Sequence, residues 1–254
     1  MTEICANHTL RKDAFLGGKL QLWQPKTGYR AGIDPVLLAA SVPAVHGQSV
    51  LDLGCGAGAV ILSLATRVAG LKTSGLEKHA GFAALAQKNA IENAIELDVH
   101  CAAIEGLPNS LKNQSFDHVV ANPPYYDRTS GSRSANPDRE SALGEVTPID
   151  VWVSIAAKRL KPKGYAHFIL KADRLVDALS SFDKRLGSIE VLPIAARSAR
   201  AAELVIIRAR KEGRARFKLH APFVLHQGYS HPGDQDHYSQ PAREILRHGA
   251  ALDF

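Results

Sequence analysis

A strand that runs into glycines and then turns straight into a helix constrains this chain more than any other feature. Val50-Leu51-Asp52-Leu53 leads into Gly54-Cys55-Gly56-Ala57-Gly58, and an apolar helical stretch follows over 59–68. Glycines at such a turn free the backbone from its Cβ restriction and let it approach a ligand closely. In open α/β sheets, ligands bind outside the carboxyl ends of the strands, where this turn would lie. The spacing is GxGxG rather than the GxGxxG of dinucleotide enzymes, which argues against a dehydrogenase.

From Ser49 onward the pattern alternates. Strands are expected at 49–53, 72–77, 98–101, 116–121 and 165–171, and helices at 59–68, 79–93, 148–160 and 173–186. Repeated alternation predicts a parallel sheet covered by helices on both faces. Ile189–Ala195 and Glu203–Arg210 read as two more strands with no helix between them, so antiparallel pairing is expected there. The fold class is therefore α/β: a Rossmann-like, doubly wound sheet of seven strands, mostly parallel, with an antiparallel strand near the C-terminal edge and a small N-terminal extension. Residues 1–47 read as that extension plus a covering loop, 48–226 as the sheet domain and 227–254 as a tail. Within the extension, 1–12 is polar and reads as frayed, and two extended pieces flank Gly17-Gly18. Asp34-Pro35 opens a helix, with Asp34 as its N-cap. The stretch 127–147 reads as a long loop, 214–226 as one more extended piece, and 242–248 as helical.

Composition narrows the partners. The 254 residues are 45% hydrophobic and 22% charged, as in an ordinary globular protein, and carry a net charge of +6. Small anions do not require that excess, whereas a polyanion such as RNA would use it. Cys5, Cys55 and Cys101 have no paired spacing, which fits a reducing, cytoplasmic setting and no zinc site. No signal peptide and no membrane-spanning run are read, and the histidines show no metal spacing.

Two acids extend the glycine turn. Asp52 precedes it, where a carboxylate accepts from an ammonium group. Glu77 ends the next strand, where an acid can take both hydroxyls of a ribose. Together they describe a ligand with an amino-acid end and a nucleoside end, as S-adenosylmethionine is. Lys26, Arg30 and Asp34 lie in the glycine-punctuated loop ahead of the core, which is expected to fold over the methionine end; for Asp34, helix capping alone is the alternative. A second motif, Asn122-Pro123-Pro124-Tyr125, follows the apolar run 116–121. Asn supplies an acceptor and two donors, the prolines stiffen the backbone without offering N–H groups, and Tyr supplies a flat face. That set suits a planar nitrogen held while it is alkylated.

Asp52-Leu-Gly-Cys-Gly-Ala-Gly58, Glu77 and Asn122-Pro-Pro-Tyr125 resemble the class I S-adenosylmethionine-dependent methyltransferases that modify exocyclic amines. Gly28-Tyr-Arg-Ala-Gly-Ile-Asp34 looks like the family that methylates N6 of an anticodon-loop adenine in valine tRNA. The resemblance covers roughly residues 14–210. It implies cofactor contacts from Arg30, Asp34, Asp52, Gly54, Gly56, Gly58, Glu77 and Asn122. It also implies an acid after the third strand, where this chain has Ala103, with Glu105 nearby as a substitute. Catalysis falls to Asn122, Pro123 and Tyr125: the Asn122 oxygen and the Pro123 carbonyl accept the amine hydrogens, and Tyr125 stacks on the base.

Tyr126 and the arginines Arg128, Arg133 and Arg139 follow as substrate-binding candidates. Packing of the loop is the alternative for Tyr126, and a solvated segment the alternative for the arginines. Arg208, Arg210, Arg214, Arg216 and Lys218 form a basic stripe, read either as an RNA contact or as a charged sheet edge. The expected partner is RNA, tRNA in particular, with no metal. Protein glutamine methylation, small-molecule O-methylation and a non-catalytic RNA-binding module stay open as alternatives.

Overall fold

The computed structural model describes residues 9–124, 147–228 and 237–254. The candidates Tyr125, Tyr126, Arg128, Arg133 and Arg139 lie outside the described residues.

The first described element is a hairpin, not a frayed end. Strands β1 (Leu10–Phe15) and β2 (Leu20–Pro25) pair antiparallel around a turn at Leu16–Gly18. Leu10, Leu20 and Leu22 are buried, and these alternating apolar positions anchor the ribbon. Helix α1 (Asp34–Ser41) follows; its first turn closes on the Ile33 carbonyl, one residue ahead of Asp34.

The main sheet then builds from β3 (Ser49–Leu53), β4 (Lys72–Glu77), β5 (Asp98–Cys101), β6 (Phe116–Ala121), β7 (Leu160–Lys171), β8 (Gly187–Ala195) and β9 (Ala202–Arg210). Two short pieces, β10 (Lys218–Leu219) and β11 (Phe223–Val224), pair in succession along the outer edge of β8. The spatial order is β8-β9-β7-β6-β3-β4-β5. β9 alone runs antiparallel to its neighbours β7 and β8, as expected for two strands joined without a helix. It is inserted between them and does not form the edge. The chain moves outward from β3 through β4 to β5, then returns to the other side of β3 with β6. This reversal is the switch point at which open α/β sheets bind ligands.

Helices α2 (Ala59–Arg67), α3 (Ala80–Glu92), α4 (Asn109–Lys112), α5 (Ile149–Arg159) and α6 (Leu175–Asp183) connect the strands. Period-two alternation divides the core. Val50, Val120, Ile169 and Ile206 face α1 and α2, whereas Leu51, Val119, Phe168 and Ile207 face α5 and α6. Helix α7 (Gln240–Arg243) continues into a wider π turn at Glu244–His248, and Ala242, Ile245 and Leu246 sink into the α1 side of the core. The Leu252 amide donates to the Ala40 carbonyl at 2.9 Å, fixing the last residues to α1. Among the described residues, no helix is long and apolar enough to cross a membrane.

Candidate active site

Because β3 and β6 are adjacent and in register, with Leu53 opposite Ala121, the residues that follow them meet at the sheet rim. Gly54 and Asn122 therefore share one cleft, although 68 positions separate them in sequence. Gly54, Cys55, Gly56, Tyr29, Phe82 and Asn122 are among the residues that line it.

The glycine turn is held by main-chain bonds. The Gly54 and Cys55 amides both donate to the Leu76 carbonyl, at 2.8 and 3.0 Å, and the Gly58 amide donates to Cys55 at 2.8 Å. Gly54, Gly56 and Gly58 all take left-handed φ values of 70, 54 and 88°, a conformation that penalises any Cβ. Two of them also lack room: a Cβ on Gly54 would lie 2.7 Å from the Trp152 ring, and one on Gly58 2.9 Å from Leu62. At Gly56 a Cβ would meet nothing within 4 Å, so the backbone there faces open space.

Glu77 is buried at the end of β4. Its Oε2 accepts from the Gly56 amide at 3.0 Å and its Oε1 from the His79 amide at 2.9 Å. A carboxylate oxygen accepts more than one hydrogen bond, so each retains capacity for a ligand hydroxyl. Asp52 is 1% exposed, and its Oδ2 is buried without a hydrogen-bond partner. Burial and then the nearby Glu77 raise its carboxyl well above the usual range, against the pull of the Ile61 amide. A cation would relieve that cost. Burial, then the Asp34, Asp52 and Glu77 carboxylates, push the Tyr29 hydroxyl up to about 12. The residue as a whole is 55% exposed, so the desolvation falls on the hydroxyl end, within electrostatic reach of the acids. The cleft thus carries the negative potential that a sulfonium-bearing, ammonium-bearing ligand requires. Burial, followed by Asp52 and Glu77, raises the Cys55 thiol too; it stays protonated and packs against Gly75.

Asn122 is the second orphan. Its Oδ1 is buried and has no hydrogen-bond partner among the described residues. The two prolines after it face elsewhere. Pro123 and Pro124 line a second pocket together with Thr147, Ile149, Trp152, Leu170 and Arg174. Trp152 belongs to both sides: its ring tip packs on Gly54 while the indole walls the second pocket.

The Arg30 guanidinium is paired with Asp13 of the hairpin at 3.0 Å, while its neighbours Tyr29 and Ala31 line the cleft. Asp34 stands in the first turn of α1. Ala103 is exposed after β5, and the Glu105 Oε1 accepts from the Thr147 hydroxyl at 2.7 Å. The basic stripe is structural in its first half. Arg208 bonds Glu190 at 3.0 Å and the Phe254 carbonyl and lies over the Phe254 ring, while Arg210 donates to the Lys163 carbonyl and lies over Tyr165.

Sequence reasoning missed Trp152, Gln24 and Asn89. Gln24 accepts from the Ala31 amide at 2.7 Å and donates to Asp13 at 2.9 Å, which sets the covering loop. Asn89 and Asn93, one turn apart on α3, each accept from and donate to the edge of β2, at Trp23 and Gln21. Asn89 also donates to the Ala57 carbonyl of the glycine turn at 2.9 Å. The spacing Asn-x-x-x-Asn on one helix face was the available signal.

The Methyltransferase small domain family matches residues 31–136. The tRNA1(Val) (adenine(37)-N6)-methyltransferase of Actinobacillus succinogenes is 30% identical over 187 residues, covering 72% of this chain and 77% of the relative. This chain belongs to that methyltransferase family. A second member, from Cronobacter sakazakii, is 34% identical over 166 residues, 63% of this chain and 66% of the relative. Among solved structures, a predicted O-methyltransferase of Agrobacterium tumefaciens superposes with a TM-score of 0.70 at 23% identity, over 87% of this chain and 99% of that one. The Thermus thermophilus 16S rRNA N2 G1207 methyltransferase, in complex with AdoMet and guanosine, gives 0.55 at 21%, over 80% and 50%. These two likenesses speak for the fold, a class I methyltransferase sheet. The family is one of S-adenosylmethionine-dependent enzymes, and the buried acids, the glycine turn and the open space at Gly56 fit that cofactor.

Proposed function

We propose that this chain methylates the N6 amine of an adenine in tRNA. The carrying observation is Asn122, whose buried, unpartnered oxygen stands at the cleft that fits the cofactor, with the second pocket directly behind it. The names of the relatives support the same substrate, and the net charge of +6 suits a polyanion.

When bound, S-adenosylmethionine supplies a methyl group activated by its sulfonium. The chain supplies placement and charge. Glu77 holds ribose hydroxyls while its bonds to Gly56 and His79 keep the carboxylate fixed. The Asn122 oxygen and the Pro123 carbonyl accept the two amine hydrogens, which turns the nitrogen lone pair outward. Alignment of this kind contributes on the order of 7–11 kcal/mol. Tyr125 stacks on the displaced base, worth about 1–3 kcal/mol, and Arg128, Arg133 and Arg139 hold phosphates. The protein then works in the cytoplasm, beside its tRNA.

Transfer of tritiated methyl from S-adenosylmethionine to total tRNA, followed by nucleoside analysis, tests this reading. Label in N6-methyladenosine is the expected result; label in protein alone would overturn it.

A further inference from the structure

The second pocket has one charged wall. Among the described residues that line it, Pro123, Pro124, Ile149, Trp152 and Leu170 are apolar, Thr147 spends its hydroxyl proton on Glu105, and Arg174 is the cation. Arg174 reaches this place through topology. β7 lies beside β6 with Phe168 opposite Ala121, so the turn after β7 borders the turn that carries Asn122 and the two prolines. Arg174 ends that turn, immediately before α6.

The guanidinium is poorly satisfied where it stands. Its Nε is buried with no hydrogen-bond partner among the described residues. Its ion pair, with Asp177 one turn along α6, is 3.8 Å long, and Asp177 is largely exposed. Such a pair contributes little. The Trp152 indole N–H, in the same pocket, is likewise buried and unpartnered. Two donors without a hydrogen bond, one of them only 3.8 Å from the Asp177 carboxylate, beside the turn that carries Asn122, call for an acceptor-rich group.

We infer that Arg174 is a substrate-binding residue that grips the phosphodiester attached to the target adenosine. A nucleotide that enters base-first toward Asn122 carries its ribose phosphate to the rim of this pocket. A guanidinium fork matches phosphate in geometry as well as charge, and a base taken out of its stack needs its backbone held. The inference rests on the tRNA reading above and adds to it the residue that recognises the substrate as a polynucleotide.

The test measures methyl transfer to tRNA at varied tRNA and salt concentrations for the wild type, R174Q, R174K and D177N, with thermal stabilisation by S-adenosylmethionine as the check on folding. R174Q should raise the KM for tRNA about tenfold, leave kcat nearly unchanged, and flatten the dependence of log KM on log salt by about one unit. D177N should behave as wild type. If R174Q leaves KM and the salt slope unchanged, or D177N reproduces its loss, the inference is wrong. Should R174Q not fold, R174K decides: a KM raised several-fold supports the phosphate contact, an unchanged KM overturns it. A wild-type enzyme that leaves tRNA unlabelled would instead sink the underlying function.

Discussion

The two sides of Asn122 are built differently. The floor of the cofactor side is one stretch of chain, the turn Gly54–Gly58, closed by Glu77 from the next strand and locked by backbone amides, with Tyr29 and Phe82 added around it. The other side, the proposed acceptor side, is assembled from Pro123 and Pro124, from Ile149 and Trp152 on α5, from Leu170 near the end of β7 and from Arg174 after it. The first is rigid by its own hydrogen bonds, the second by packing between distant segments. The lesson is that a cofactor site can be inherited as a motif, whereas an acceptor site is a property of the whole sheet.

The largest effect that separates the sides is expected at their boundary. N122A should lower kcat for tRNA methylation about a hundredfold or more while the dissociation constant for S-adenosylmethionine, measured calorimetrically, stays within a factor of two. A comparable loss of cofactor affinity would merge the two sides into one.

Acid should strike the base of both. His118 on β6 and His167 on β7 face each other at 3.3 Å and are buried. Burial holds His118 down at about 4, against Asp117 and with Arg67, and holds His167 well below its usual range, helped by His118 and Arg208. The unfolded chain binds the His118 proton already near pH 6.5, the folded one only near 4. Stability is therefore complete above about pH 6.5 and falls by about 3 kcal/mol as pH drops toward 4. Thermal melts across that range should show it, and H118Q should flatten the slope.

E77Q belongs to the cofactor side alone. It should weaken S-adenosylmethionine binding about ten- to a hundredfold and leave kcat at saturating cofactor nearly intact. The smallest expected effect is N93A, which opens part of the β2 edge and should cost about 1–2 kcal/mol in denaturant unfolding without changing the KM for tRNA.

The legibility of the molecule follows the same division. The glycine turn, Glu77 and the strand before Asn122 stand out in sequence because each is local: a strand, its end, and the residue types that the turn demands. The pairing of Gly54 with Asn122 follows from counting strands and crossovers. Trp152 does not stand out, because its contact with Gly54 spans α5 and β3, and one aromatic on an amphipathic helix reads as core. The Arg30–Asp13 pair does not stand out either, because the loop sequence says nothing of the hairpin strand it packs against. Arg208 misleads for a topological reason: β9 slips between β7 and β8, so a residue expected at an edge lies in the interior and serves Glu190 and Phe254.

Asn89 and Asn93 carry one more consequence. An unpaired strand edge invites other chains to add to it, and on β2 two helix side chains take the place of the missing neighbour. Asn89 also holds the Ala57 carbonyl of the cofactor turn. Part of the edge protection and the support of the cofactor turn thus share one amide, and a lineage that lost Asn89 would have to rebuild both at once.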